Sequence, residues 1–417
     1  MQRSKTALVL AGGGVAGAAY EIGALCAIDE ALADRSVNEF DIYVGTSAGA
    51  LVSACLASGL TPRMLLAVLE RSLFGIDQLE PGHLFALNLS NIASRASRLP
   101  AALLALTQRL ISERFDTSIL DLFESLSSAL PNGLYDSAAL ERYLRESLAR
   151  SGRSNSFTDL TRELLIIATD LDSGDRAVFG EPPLDTVPIS LAVSASAAIP
   201  LFYRPVHVGE RDYIDGSIRG TASLDVAIER GAELIVCINP IVPFDNSGHA
   251  RGAGLSDQGL YRIGNQVFRT FIHAGLHYHI KQLRRRHPHV DILLIEPGSD
   301  DRLMFDENTM RYQMRLTIAR HGFESVASQL RLHFTHYSRM LARHGISISA
   351  ERIEQVRERL AAEGDEAELR PELVDGPPLA LVAPPLVSAP AGLTQTLAEL
   401  DRLLTRIERV NQRCLAL

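Results

Sequence analysis

Five short runs of Val, Ile, Leu and Ala along the chain show little polar alternation: Ala7–Ala11, Asp41–Gly45, Leu164–Thr169, Leu234–Asn239 and Asp291–Ile295. Apolar runs of this length predict strands buried on both faces. Between them, apolar positions recur at helical spacing, which predicts helices over Gly17–Ala33, Ala48–Ser58, Pro62–Leu73, Ser137–Ala149, Pro188–Ala197 and Asp225–Arg230. Strands that alternate with helices build a mostly parallel sheet covered on both faces. The expected fold class is therefore α/β and three-layered, with a mostly parallel central sheet flanked by helices. Ligands bind such sheets outside the carboxyl ends of the strands. That rule singles out the loops after Ala11, Gly45 and Asn239.

Three segments depart from the alternation. His83–Ser127 is apolar and helical in pattern, with Arg95, Arg98 and Arg109 among Leu and Ala. It reads as a helical insertion packed on the core, or else as a lid or an amphipathic surface that meets lipid. From residue 306 to 370 the pattern is helical and charge-laced. Six prolines between 371 and 390 then predict a semi-rigid linker. Beyond it, Leu393, Leu397, Leu400, Leu404 and Ile407 repeat at heptad spacing, with Cys414 a further heptad on. Residues 391–417 are thus expected to form an amphipathic C-terminal helix that either docks back or pairs with a second copy as a homo-oligomer. The domain of interest is residues 1–305, with a helical C-terminal extension after it.

The net charge, from 41 basic and 50 acidic residues, is −9. This argues against nucleic acid as a partner and gives no general attraction to anionic lipid. No apolar run reaches the ~18 residues of a spanning helix. The apolar stretch after Met1–Lys5 stops at Gly12-Gly13-Gly14, too soon for a secretory signal. Cys26, Cys55, Cys237 and Cys414 are widely scattered, which reads as reduced thiols in a cytoplasmic protein.

The chemistry concentrates in the loops. Gly45-Thr46-Ser47-Ala48-Gly49 fits G-x-S-x-G between a predicted strand and a predicted helix, the context of a nucleophile elbow. A bare helix-capping role for Ser47 is the plainer alternative. Gly12-Gly13-Gly14-Val15-Ala16-Gly17 joins the first strand to the first helix. It also matches G-x-G-x-x-G, so a dinucleotide site comes into question. The second strand, however, runs straight into Gly45-Thr46-Ser47 with no acid to hold a ribose. Successive glycines next to an exposed serine suit an oxyanion hole better, since several N–H groups can converge on one oxygen. A serine nucleophile also needs a base. No histidine stands in an obvious loop after a core strand. Asp215, in Tyr213-Ile214-Asp215-Gly216-Ser217, ends a short apolar run and could act as that base in a desolvated cleft. An ordinary Asp-Gly turn is the competing reading.

Taken together, these blocks resemble the patatin-like phospholipases, serine acyl hydrolases with a Ser-Asp dyad. The match runs through Gly12-Gly13-Gly14-x-x-Gly17, Gly45-Thr46-Ser47-Ala48-Gly49, Gly133-Leu134-Tyr135-Asp136, Thr169–Gly174, Ser194–Pro200 and Asp215-Gly216, in family order, from Thr6 to about Pro297. The resemblance implies Ser47 as nucleophile, Asp215 as base, and the amides of Gly12, Gly13 and Gly14 as oxyanion hole. It implies a lipid or other acyl-ester substrate, peripheral membrane contact and no cofactor or metal. Two positions depart from the family. Ala16 stands where Arg or Lys is usual, and Ser217 where Gly or Ala is usual. Ser217 could hydrogen-bond the aspartate and lower its basicity. These departures, with the proline linker and terminal heptads, also motivate an alternative: a patatin-fold lipid-binding or scaffold protein with weak or no turnover. His273, His277 and His279, and His287 with His289, have metal-like spacing but no acids in matching sequence context. They read as the polar face of a helix near Arg284-Arg285-Arg286.

Overall fold

The structure is a computed structural model that describes residues 4–73, 75–96, 130–248, 254–306 and 310–355. The chain divides into two units, Met1–Leu89 with Asn132–Ala362, and Ser90–Pro131 with Glu363–Leu417. Nearly all of the second unit, with most of the 83–127 insertion, the proline linker and the terminal heptads, lies outside the described residues.

Among the described residues the strands are β1 (Thr6–Leu10), β2 (Ile42–Thr46), β3 (Glu163–Asp170), β4 (Arg176–Phe179), β5 (Val206–Val208), β6 (Arg211–Asp215), β7 (Leu234–Ile238) and β8 (Asp291–Ile295). The helices are α1 (Gly14–Ala31), α2 (Ala48–Ala57), α3 (Pro62–Glu70), α4 (Pro81–Leu84), α5 (Leu89–Ala96), α6 (Ala138–Arg150), α7 (Ile189–Ser196), α8 (Leu224–Glu229), α9 (Leu260–Arg286), α10 (Arg302–Asp306), α11 (Arg315–Leu332) and α12 (Phe334–Ala342). The five apolar runs are β1, β2, β3, β7 and β8, each within a residue or two of its expected bounds.

The strands form one sheet in the order β5-β6-β3-β2-β1-β7-β8, with β4 also on β3. Pairings among β3, β2, β1, β7 and β8 are parallel, whereas β4, β5 and β6 pair antiparallel. The fold is thus a mostly parallel mixed sheet with helices on both faces. Alternate residues of each strand enter different cores. Leu8, Leu10, Tyr43, Ile166 and Val236 face α1, α2, α3, α6 and α11. Ala7, Val9, Val44, Ile167 and Cys237 face α8 and the middle of α9.

The helix α1 is buried along most of its length, as its nearly all-apolar sequence requires. It reaches α11 backbone to backbone. A Cβ on Gly23 would lie 1.8 Å from the Ala319 carbonyl oxygen, and one on Gly322 would lie 2.5 Å from the Tyr20 carbonyl oxygen. Glycine at these two positions allows the close approach, and it ties the residues after 306 into the first core. No described helix is long and apolar enough to cross a membrane. Gly322→Leu should lower stability by about 1–3 kcal/mol through overpacking. A urea midpoint equal to that of the unaltered chain would contradict this packing.

Candidate active site

The strand β2 ends at Thr46 and α2 begins at Ala48, so Ser47 alone makes the turn. Its backbone stands at φ 55° and ψ −120°. A side-chain-bearing residue held there costs about 1–3 kcal/mol and persists only where its surroundings fix it. The Ser47 N–H donates to Ser196 Oγ at 2.8 Å, and that hydroxyl donates to the Ile167 carbonyl at 2.6 Å. The flanking glycines let the turn close. A Cβ on Gly45 would lie 2.5 Å from Ala50 Cα, and one on Gly49 would lie 2.5 Å from the Leu10 carbonyl oxygen. Although Ser47 occupies the cap position of α2, its side chain makes no capping bond. The side chain stands beside Asp215 instead, where it favours the ionised carboxylate.

Sheet register explains how two residues so far apart in sequence meet. Thr46 pairs with Ile167 on β3, and Asp215, the last residue of β6, pairs with the next residue, Ala168. Gly216 then passes beside Thr46, where a Cβ would lie 2.3 Å from the Ile167 carbonyl oxygen and 3.0 Å from Thr46 Cγ2. Ser47 is 3% exposed and Asp215 2%. Burial pushes the Asp215 carboxyl above its ordinary range. The neighbouring Ser47 and Ser217 side chains and the Ser217 amide work against that rise without cancelling it. The Ser217 amide bond is 2.8 Å long. The departure at position 217 therefore touches Asp215 directly.

The glycine loop closes the third side. Gly12 lies between the two serines, for a Cβ there would sit 2.2 Å from Ser217 Oγ and 3.2 Å from Ser47 Cβ. Gly13 caps α1 and lies against Pro240 and Gly17. Gly14, at φ 62°, is in the left-handed region that favours glycine. The first helical bond of α1 is donated by Gly17 to the Gly13 carbonyl at 2.9 Å. Amides before Gly17 at the head of this helix thus have no acceptor inside it, and they carry its positive dipole end. Ser47 and Asp215, with the glycines Gly12, Gly13, Gly14, Gly45 and Gly49, gather where β2 ends and α1 and α2 begin.

Beside Ser47 opens a narrow cavity of about 70 Å³. Gly14, Ala48, Leu51, Leu140, Ile199 and Tyr203 are among its walls, which are mostly apolar, and no histidine lines it among the described residues. Sequence reading missed two contributors. Ser196 locks the elbow, and Arg315 reaches the cavity wall from α11, stacked 4.1 Å over the Tyr312 ring. Ser196 belongs to the Ser194–Pro200 block, so a polar residue on an otherwise apolar helix was its signal. Nothing local marks Arg315. The buried thiols of Cys26 and Cys55 are pushed up to about 12 by desolvation and are not nucleophiles. Cys414 lies outside the described residues.

A model of the patatin-like phospholipase family matches residues 8–228, more than half of the chain. The chain belongs to that family. Among curated proteins, the uncharacterized protein YqhO of Bacillus subtilis (strain 168) is 27% identical over 222 residues, which is 50% of this chain and 62% of YqhO. The match thus spans less than two thirds of that relative's length. Among solved structures, VipD from Legionella pneumophila is similar at 16% identity and a TM-score of 0.34, over 80% of this chain and 67% of that one. Full-length ExoU with full-length SpcU, from the type III secretion system of Pseudomonas aeruginosa, is similar at 17% identity and a TM-score of 0.30, over 79% of this chain and 52% of that one.

The backbone at Ser47 has a measurable signature. Glycine is ordinarily less stable than alanine within regular structure. At this φ the order should reverse, with Ser47→Gly more stable than Ser47→Ala by about 1 kcal/mol in denaturant unfolding. If Ser47→Ala proves the more stable of the two, the turn is not held in the left-handed region.

Proposed function

We propose that the protein is a lipid acyl-ester hydrolase in which Ser47 is the nucleophile, Asp215 its base, and the amides of Gly12, Gly13 and Gly14 the oxyanion donors. The observation that carries this reading is the meeting of the buried Ser47 and Asp215 side by side against β3, with Ser47 lining an apolar cavity. Membership of the patatin-like phospholipase family supports the substrate class.

As Ser47 Oγ attacks the ester carbonyl, its proton passes to Asp215. The carbonyl oxygen becomes an oxyanion at the head of α1, where free amides and the helix dipole stabilise it. Collapse of this intermediate expels the alcohol, which takes the proton back from Asp215. Water then attacks the acyl-serine, giving its proton to Asp215; as the second intermediate collapses, Ser47 Oγ takes that proton back and the fatty acid leaves. Burial matters to the base. A carboxylate at its reference pKa of ~3.9 is a weak proton acceptor, and desolvation strengthens it. Leu201 is 79% exposed and lies with the exposed Phe202 between the cavity residues Ile199 and Tyr203. This apolar lip suits contact with a lipid surface.

Medium-chain p-nitrophenyl esters test the reading. Ser47→Ala and Asp215→Asn should each lower kcat/KM by at least about 10³-fold, on the scale of losing a member of a catalytic constellation. Retention of turnover in either variant would overturn the assignment. Absence of turnover in the unaltered chain together with fatty-acid binding would favour the scaffold alternative. The pH profile gives a finer check. Asp215 must be ionised to accept the proton, so activity should fall as pH drops through its raised pKa. Hydrogen bonds from Ser217 favour the carboxylate and hold that pKa lower than burial alone would. Ser217→Ala should thus move the acid limb of kcat/KM to higher pH. An unmoved limb would mean that Ser217 does not act on the base.

A further inference from the structure

The long helix α9 carries His273 and His277 one turn apart, on one face, with their rings 4.1 Å between centroids. What their sequence context lacks is an acid, and the sheet supplies it. Glu296 directly follows β8, and its carboxylate reaches both rings. Its Oε1 lies 3.5 Å from His273 Nε2 and its Oε2 lies 2.9 Å from His277 Nε2. One donor atom from each of the three side chains falls within 4.8 Å of the others.

We propose that His273, His277 and Glu296 form a binding site for one divalent transition-metal ion of the zinc type. The distances support it. Zinc binds imidazole nitrogen and carboxylate oxygen at about 2.0–2.2 Å in a tetrahedron, which sets neighbouring donors about 3.3 Å apart. The rings stand 3.5 and 2.9 Å from the two different carboxylate oxygens, and one donor from each side chain lies within 4.8 Å of the others, so side-chain rotation toward a common point would seat the ion. Two imidazoles and a carboxylate favour zinc and its neighbours over magnesium or calcium, which prefer all-oxygen shells. Three protein donors leave the fourth position free, and His277, at 47% side-chain exposure, leaves that side accessible from solvent.

The supporting shell is in place as well. Asn239 follows β7 as Glu296 follows β8, and register makes them neighbours because the Asn239 N–H donates to the Ile295 carbonyl at 2.9 Å. The Asn239 side-chain amide donates to Glu296 Oε1 at 2.7 Å and to the Ile241 carbonyl at 3.0 Å, and its oxygen accepts from the Ile241 N–H at 3.2 Å. The carboxylate is thus aimed by a residue whose own orientation is fixed, as ligating carboxylates usually are. The next residue, Pro240, packs on Gly13 and Gly17. An ion here would therefore brace the β7 loop against the glycine loop. None of the three ligands lines the cavity beside Ser47, so this site stands apart from the proposed hydrolytic reaction.

Zinc titration of the full-length, untagged chain by calorimetry, with thermal melting in parallel, tests the proposal. One equivalent should bind, and saturating zinc should raise Tm, since an ion that binds the folded state stabilises it. His277→Ala changes an exposed side chain and should weaken binding at least tenfold and cancel the Tm shift. The His273→Ala/His277→Ala double variant should lose the equivalent altogether, and Asn239→Ala should weaken it about 10–100-fold. His287→Ala/His289→Ala, away from the cluster, should bind as the unaltered chain does. No binding by the unaltered chain, or equal affinity in His277→Ala, would overturn the site and leave the cluster as a pair of histidine–carboxylate contacts.

Discussion

The proposed hydrolytic site depends on one strand. The parallel partner of β3 ends in Thr46 opposite Ile167, and an antiparallel partner ends in Asp215 opposite Ala168. Adjacent residues of β3 thus hold the two halves of the proposed dyad. A slip of either partner by one residue would turn its side chains to the other face of the sheet and separate them. The Ile167 carbonyl accepts from Ser196 Oγ, which in turn receives the Ser47 N–H. It also lies against Gly216. A single backbone group therefore fixes both the strained turn of the serine and the path of the chain just after the aspartate.

The chemistry follows from that confinement. In water a serine hydroxyl and an aspartate make a poor nucleophile and base, because the carboxylate is well solvated and weakly basic. In the structure both are almost fully buried, and the carboxylate exchanges water for the Ser217 amide and two neighbouring serine side chains. Burial raises its affinity for a proton while the hydrogen bonds limit the rise. The cost of holding Ser47 at φ 55° is borne by the packed α/β core, where α1 and α11 touch backbone to backbone at Gly23 and Gly322. Strain at a proposed reactive residue and rigidity elsewhere are thus parts of one arrangement.

How much of this was legible in the sequence depended on how local each signal was. β1, β2, β3, β7 and β8 announce themselves because strands buried on both faces cannot alternate polar and apolar residues. β4 and β5 are short, β5 is only partly buried, and β6 opens on the polar Arg211 and Asp212, so their runs look like loop sequence. Ser47 and the glycines were readable from spacing alone, since a tight strand-to-helix turn demands small residues at set positions. Asp215 was readable only as an Asp-Gly pair at the end of an apolar run; its pairing with β3 is a long-range fact. Arg315 and Glu296 carry no local mark. Each enters its site through packing between segments far apart in the chain, which one-dimensional periodicity does not record. The histidine spacing on α9 was visible, but the acid that completes it comes from the end of a different strand.

The most direct measurement is covalent capture of the serine. Treated with a fluorophosphonate and mapped by peptide mass spectrometry, the unaltered chain should carry one adduct, on Ser47, and Asp215→Asn should acquire it far more slowly while remaining folded. An adduct on another serine, or labelling of Ser47 at the same rate without the Asp215 carboxylate, would contradict a nucleophile activated by that residue.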